Sequence, residues 1–284
     1  MKIKKNIPLE GKNQKPVLID LFYKSNRKPK NVIIFCHGYK GFKDWGAWNL
    51  VAEAFAKNNF FFIKMNFSHN GGTIQQPIDF PDLEAFGNNN FTKELDDIEI
   101  VIEWLERNKE IHKEINSENI SLIGHSRGGA IVLIKAHENN KISQVITWGG
   151  VSDFKSKFPY GETLEKWKNN GVVYVENSRT KQKMPHYIQF YENFKENENR
   201  LHVKNAVHNL NIPYLVIHGS NDETVLIEEA RNLYSWNSNN QILIVENANH
   251  TFDSKHPWDS NVLPDNLEIA TNETIQFIHS YNKK

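Results

Sequence analysis

The residues Gly124-His125-Ser126-Arg127-Gly128 set a serine between glycines in the spacing G-x-S-x-G, a pattern suited to nucleophilic attack. The apolar run Ile120-Ser121-Leu122-Ile123 precedes them, and Gly129-Ala130-Ile131-Val132-Leu133-Ile134-Lys135-Ala136 follows. That order predicts a buried strand, a sharp turn and a helix. The turn leaves little room, so glycines stand where strand and helix pass closest. The hydroxyl then projects from the end of a sheet, with helix N–H groups turned toward any developing negative charge.

A serine hydroxyl is a poor nucleophile at neutral pH and needs a base that is itself oriented by an acid. Two downstream segments supply candidates. Tyr214-Leu215-Val216-Ile217-His218 reads as a strand, with Gly219-Ser220-Asn221-Asp222-Glu223-Thr224-Val225 as the loop that leaves it. Ile242-Leu243-Ile244-Val245-Glu246 reads as another, followed by Asn247-Ala248-Asn249-His250. Carboxyl ends of parallel strands share one rim, which predicts that Ser126, Asp222 and His250 converge. Asp222 is preferred over Glu223, whose charge also suits a solvated helix start. His125 and His218 are read as supports of the fold. A tetrahedral intermediate needs an oxyanion hole, expected from the backbone N–H groups of Arg127 and Tyr39. Tyr39 lies in the loop His37-Gly38-Tyr39-Lys40-Gly41-Phe42, where Gly38 permits close backbone approach.

The elements that must position these residues follow from the apolar pattern. Strands are expected over 16–23, 32–36, 60–67, 120–123, 144–148, 214–218 and 241–246, and helices over 45–57, 93–108, 128–138, 226–234 and 266–281. Their alternation predicts an α/β fold with a mostly parallel sheet covered on both faces. Leu95, Ile98, Val101, Ile102 and Leu105 recur at helical spacing, with the acids between them expected to face water. The run Asn88-Asn89-Asn90 reads as a polar loop before a cap at Thr92. Residues 153–209 break the alternation and are too long for an ordinary connection. Their aromatics, Phe154, Phe158, Tyr160, Trp167, Tyr174, Tyr187, Phe190 and Tyr191, are expected to build a cap over the serine, with two or three lining a pocket. The chain then reads as one domain over 1–284 with an inserted cap subdomain.

Composition narrows the function classes. The 34 basic and 34 acidic side chains cancel, and no basic block tracks a phosphate backbone, so no nucleic-acid partner is expected. No apolar stretch approaches the roughly 18 residues that span a bilayer, and no signal-peptide core follows the basic start, so no membrane partner is expected. The single cysteine, Cys36, excludes an internal disulfide and fits a reducing, cytoplasmic setting. His137-Glu138 lacks the second histidine of a zinc-hydrolase helix, and the chemistry above requires no cofactor or metal.

Together these motifs resemble the α/β-hydrolase superfamily over nearly the whole chain. His37-Gly38-Tyr39, Gly124-His125-Ser126-Arg127-Gly128-Gly129, His218-Gly219-Ser220-Asn221-Asp222 and Ala248-Asn249-His250 occur in the family's order. Asn66-Phe67-Ser68-His69-Asn70-Gly71 resembles a loop that often reads Phe-Arg-Gly-x-Gly, with Ser68 at the arginine position. Within the superfamily the chain is most similar to dienelactone-hydrolase-like and cinnamoyl (feruloyl) esterase-like proteins. The resemblance implies a serine carboxylesterase for small or medium acyl esters, aromatic ones included. Serine in place of the cysteine of true dienelactone hydrolases points away from that activity. Two alternatives remain open: a serine aminopeptidase-like enzyme, which would favour acids such as Glu162, Glu165, Glu176, Glu192 and Glu196 around the substrate amine, and a non-catalytic binding protein.

Overall fold

The strand Lys30–Cys36 explains why the sheet is covered on both sides. Val32, Ile34 and Cys36 enter one apolar cluster, while Ile33 and Phe35 enter a second. Alternate side chains of a strand point to opposite faces, so a continuously apolar strand must be buried twice. Each large apolar side chain so buried contributes about 1.5–3 kcal/mol relative to exposure.

The computed structural model describes residues 1–281. Its strands are β1 (Lys2–Leu9), β2 (Val17–Tyr23), β3 (Lys30–Cys36), β4 (Phe61–Asn66), β5 (Ile115–His125), β6 (Ile142–Trp148), β7 (Val172–Glu176), β8 (Lys183–Tyr187), β9 (Tyr214–Gly219) and β10 (Asn240–Val245). The helices are α1 (Trp48–Lys57), α2 (Leu83–Gly87), α3 (Phe91–Arg107), α4 (Arg127–Glu138), α5 (Glu162–Asn170), α6 (Gln189–Glu196), α7 (Val203–His208), α8 (Ile227–Ser235) and α9 (Asp265–Tyr281). Eight strands form the main sheet in the order β1-β2-β4-β3-β5-β6-β9-β10. The β1–β2 and β2–β4 pairs are antiparallel and the remainder parallel. Leu95, Ile98 and Val101 of α3 and Ile131 and Val132 of α4 lie in one cluster. Val51 and Phe55 of α1 and Leu267 and Ile278 of α9 lie in the other. Among the described residues no helix is long and apolar enough to cross a membrane.

The expected strands and helices are all present, with ends shifted by a few residues, and three local expectations change. The cap of α3 is Asn90, whose Oδ1 accepts the Lys93 N–H at 3.0 Å, while the Thr92 hydroxyl donates to that same oxygen at 3.0 Å. The acids Glu94 and Asp97 of α3 do not face water: each is 1% exposed, because α4 covers that side of the helix. The strand β1, which was not anticipated, pairs along the edge with its lysines largely toward solvent.

Between β6 and β9 the chain builds α5, the antiparallel β7–β8 hairpin, α6 and α7. This segment is fastened to the residues before α3. Gln182 Nε2 donates to the Phe80 carbonyl at 3.0 Å and Gln189 Nε2 to that of Asn89 at 2.9 Å. The Phe91 ring stacks on Phe154 with centroids 3.8 Å apart.

Candidate active site

The candidate nucleophile sits where β5 turns into α4. Ser126 has φ 56° and ψ −123°, a conformation that L residues rarely adopt and that typically costs about 1–3 kcal/mol. Its flanking glycines are sterically required. A Cβ at Gly124 would meet the Gly128 carbonyl oxygen at 2.3 Å, and one at Gly128 would meet that of His37 at 2.5 Å. The Ser126 N–H donates to the Trp148 carbonyl at 2.9 Å, which pins the turn to the end of β6. The Ser126 side chain makes no hydrogen bond among the described residues and lines an open cavity.

Asp222 and His250 come from the loops after β9 and β10, and the shared direction of these strands brings both to the serine's rim. His250 Nδ1 and Asp222 Oδ2 are 2.7 Å apart, and the Thr224 and Val225 N–H groups donate to Asp222 Oδ1 at 2.9 and 2.8 Å. Burial alone would raise the Asp222 pKa, but the bond to His250, its charge and the Val225 N–H outweigh it and hold the carboxyl low. Glu223 is exposed. Gly149, next to the carbonyl that holds Ser126, closes the group: a Cβ there would stand 3.3 Å from both Asp222 Oδ2 and His250 Nδ1.

The two neighbouring histidines brace this pair, as expected from sequence. His125 Nε2 donates to the His250 carbonyl at 2.9 Å, tying the elbow to the loop after β10. Burial, reinforced by the adjacent His250, pushes the His125 pKa down to about 3, so the ring is neutral with its proton on Nε2. His218 Nε2 donates to the Val225 carbonyl at 2.7 Å and lies 3.4 Å from Asp222 Oδ2, shaping the loop that carries the acid.

The loop after β3 brings Tyr39 beside the serine. A Cβ at Gly38 would lie 2.7 Å from Ser126 Cβ and 3.3 Å from its Oγ, so this backbone touches the candidate nucleophile. The Gly38 carbonyl accepts the Gly41 N–H at 3.0 Å and His37 Nδ1–H at 2.9 Å. Since C=O and N–H of one trans peptide point in opposite directions, these bonds also aim the Tyr39 N–H. Burial, with the Arg127 charge acting in the same direction, lowers the His37 pKa to about 4 and keeps that donor neutral. Neither the Tyr39 nor the Arg127 N–H donates a backbone hydrogen bond among the described residues.

A buried charge cluster holds the far side of the loop. Lys43 and Lys64, both fully buried, flank Asp20, with Nζ to carboxylate distances of 2.9 and 3.1 Å, and both also pair with Asp44. The two cations balance the two anions. Burial would raise the Asp44 pKa, but the ammonium groups hold it well below the usual carboxylate range. Removing one member of such a cluster leaves an uncompensated buried charge, at a cost of about 3–5 kcal/mol.

Ser126 opens into a cavity of about 480 Å³. The main sheet side supplies Tyr39, Phe91, Arg127 and Val225, and the segment after β6 supplies Phe154, Phe158, Trp167, Val173, His186 and Phe190. Four of the eight aromatics singled out from sequence therefore line it, while Tyr160 and Tyr174 are 89% and 61% exposed. The lining includes the cationic side chains Arg127 and Lys157 and no acid. The Arg127 guanidinium bonds to buried Glu94 and lies over the Tyr39 ring, 5.2 Å from its centroid. Sequence reasoning missed Glu94, which sits on the buried face of α3, and His186, whose partner Tyr39 is 147 residues away in the chain.

Comparison with known proteins bears on the fold. Est1E from Butyrivibrio proteoclasticus superposes with a TM-score of 0.72 at 15% identity, covering 99% of this chain and 100% of that one. The ferulic-acid-bound structure of Est1E gives 0.73 at 15% identity, covering 98% and 100%. A monoacylglycerol lipase from Paleococcus ferrophilus gives 0.66 at 15% identity, covering 93% and 98%. No curated protein matches the sequence. The BD-FAE family model matches residues 19–237, most of the chain, from within β2 through β9. On that match and this architecture, the chain belongs to the BD-FAE family and is a member of the α/β-hydrolase superfamily.

Proposed function

We propose that this protein is a serine carboxylesterase acting on esters of medium, largely apolar acyl groups, aromatic ones included. The observation that carries the reading is the Asp222–His250 pair, 2.7 Å apart, beside a positive-φ Ser126 that opens into an apolar cavity. Ser126 Oγ attacks the ester carbonyl carbon as its proton passes to His250 Nε2. Asp222 keeps the ring proton on Nδ1 and stabilises the imidazolium. The Tyr39 and Arg127 N–H groups hold the oxyanion, each worth about a hundredfold or more in rate. His250 returns the proton to the departing alcohol, and a water then releases the acid through the same groups. The hydroxyl turns toward the ring when substrate fills the cavity, since apo catalytic bonds are often open.

The 153–209 segment acts as the cap of this single domain, since its side chains form most of the cavity wall. At about 480 Å³ the cavity lies in the range of small-molecule sites. Ferulic acid, bound in the Est1E structure, is an acyl group of the kind such walls accommodate. The cationic lining disfavours the aminopeptidase alternative, because a substrate amine would meet Arg127 and Lys157 with no acid to pair it. The strain at Ser126 disfavours a mere binding role, which places no demand on that geometry.

The test is hydrolysis of nitrophenyl and hydroxycinnamate esters beside matched arylamides, in the parent protein and in Ser126→Ala. We expect ester turnover, weak arylamide turnover, fluorophosphonate labelling of Ser126 and a loss of at least about 10⁴-fold in the variant. Turnover that survives Ser126→Ala in a folded protein would remove the reading.

A further inference from the structure

The two side chains attached to the proposed oxyanion donors are themselves anchored, and one anchor comes from the cap. The Tyr39 hydroxyl is 2.7 Å from His186 Nε2 on β8. His186 is in turn fixed through its main chain, whose carbonyl accepts Trp167 Nε1–H at 2.8 Å. The Arg127 guanidinium lies over the Tyr39 ring and bonds to Glu94, itself held by Asn89 Nδ2 at 2.7 Å. The residues that give the two N–H groups therefore brace each other through their side chains. His37 and Gly41 fix the direction of the Gly38 carbonyl but leave rotation of the peptide about that direction, which would swing Tyr39 Cα. The bond from the Tyr39 phenol to the cap restrains that rotation.

We propose that His186 is a positioning residue for the oxyanion hole, acting from the cap through the Tyr39 hydroxyl. The inference rests on the serine-esterase reading and on the Tyr39 N–H as an oxyanion donor. Its chemistry is consistent with the ring's surroundings. Burial, then the charges of Arg127 and Lys40, push the His186 pKa down to about 4, so at neutral pH the ring adds no charge to the site. Burial likewise raises the Tyr39 phenol to about 12, which keeps it protonated. A neutral imidazole and a neutral phenol share one hydrogen bond, and the ring centroids stand 5.5 Å apart. Because both residues also line the acyl cavity, the same contact makes the reacting centre sensitive to what fills the cap.

The experiment compares parent, His186→Phe, Tyr39→Phe and the double variant on one nitrophenyl ester, together with inhibition by a phenylboronic acid that forms a tetrahedral adduct. Each single change keeps a ring in place and removes only the hydrogen bond. We expect kcat to fall about tenfold in each with KM within about twofold, because a donor misaimed by a fraction of an ångström forfeits part of its effect. The double variant should fall no further than either single one, and boronate affinity should weaken in parallel with kcat. His186→Gln, which retains a hydrogen-bonding group, should recover most of the loss. An unchanged kcat, a change confined to KM, or effects that multiply in the double variant would overturn the proposal. If His186→Phe does not fold, Tyr39→Phe alone decides on the same kcat, KM and boronate criteria. A parent whose turnover survives Ser126→Ala defeats the esterase reading itself. Ser126-dependent turnover that is indifferent to His186 and Tyr39 defeats only this inference.

Discussion

Adding one methyl group at Gly38 is the sharpest test of how closely the oxyanion loop approaches the serine. The new Cβ would stand 2.7 Å from Ser126 Cβ, 3.1 Å from the His125 carbonyl oxygen and 3.3 Å from Ser126 Oγ. Carbon atoms rest at about 3.5–4.0 Å, so the first contact is short by about 1 Å. Neither neighbour can swing aside. Ser126 Cβ is fixed by its backbone, and the His125 carbonyl belongs to the strand that forms the elbow. The loop must therefore retreat by about the same distance, taking the Tyr39 N–H with it. A misplacement of that size costs about 10²-fold, and complete loss of one oxyanion donor about 10²–10³-fold. Gly38→Ala should accordingly lower kcat/KM on a nitrophenyl ester by about 10²–10³-fold, with fluorophosphonate labelling slowed in step. Overpacking of this kind costs about 1–3 kcal/mol, a loss that thermal melting would register without unfolding the protein at room temperature. Activity within about fivefold of the parent would mean that the 38–39 backbone does not hold the reacting oxygen, and another donor would have to be sought.

Two further outcomes follow from the same geometry. Asp222→Asn should reduce kcat by about 10³–10⁴-fold, since the amide cannot hold the proton on His250 Nδ1, while exposed Glu223→Gln should stay within about twofold in the same assay. The reverse order would move the acid. Stability should fall as pH drops from 6.5 toward 4. His37, His69, His125 and His186 stay neutral in the folded chain to about 4, 4, 3 and 4, whereas in the unfolded chain they take up protons near 6.5. Asp97 opposes them: burial lifts its pKa to about 7, so the fold keeps one proton that the unfolded chain releases. A net excess of three protons on the unfolded chain gives a slope of about 4 kcal/mol per pH unit, measurable as urea midpoints between pH 7 and 4.5. A flat profile would mean that these rings are hydrated rather than buried.

The parts of this architecture that sequence reveals are those encoded locally. Strands such as β3 and β9 are apolar at consecutive positions, and the elbow, the acid loop and the histidine loop each follow their strand within a few residues. Ser126, Asp222 and His250 could thus be assigned to one rim from strand direction alone. The cap follows no such rule. Its helix α5 buries only Trp167, and its hairpin is largely exposed at β7, so no periodic signal marks either. Partnerships across the fold were equally silent. Lys64 sits inside the apolar run of β4, where a lysine ordinarily signals solvent, and its neutralising partners Asp20 and Asp44 belong to other segments. Glu94 and Asp97 carry the same lesson for α3. Their burial depends on α4 and Ser68, whose N–H donates to Asp97 at 2.7 Å, and neither is visible in the helix's own pattern.

These buried charges bear on which imidazole serves as the base. His37, His125, His186 and His250 all lie within the site's immediate contacts. Burial drives the first three toward the neutral form, and the positive charge of Arg127 adds to this at His37 and His186. Each has its accessible nitrogen engaged by a backbone carbonyl or the Tyr39 phenol, so each works as a fixed strut. His250 differs in having a carboxylate against Nδ1, the pairing that stabilises a ring as it accepts a proton. In the proposed reaction the Arg127 N–H would face the developing oxyanion and its cation would favour that negative charge, and the same cation adds to the burial that holds His37 and His186 neutral. Glu94 tempers the cation from beneath, which prevents the apolar acyl cavity from carrying an unpaired buried charge. The division of labour among the four histidines is thus set by burial, which silences three of them, and by the Asp222 carboxylate, which stands against the fourth.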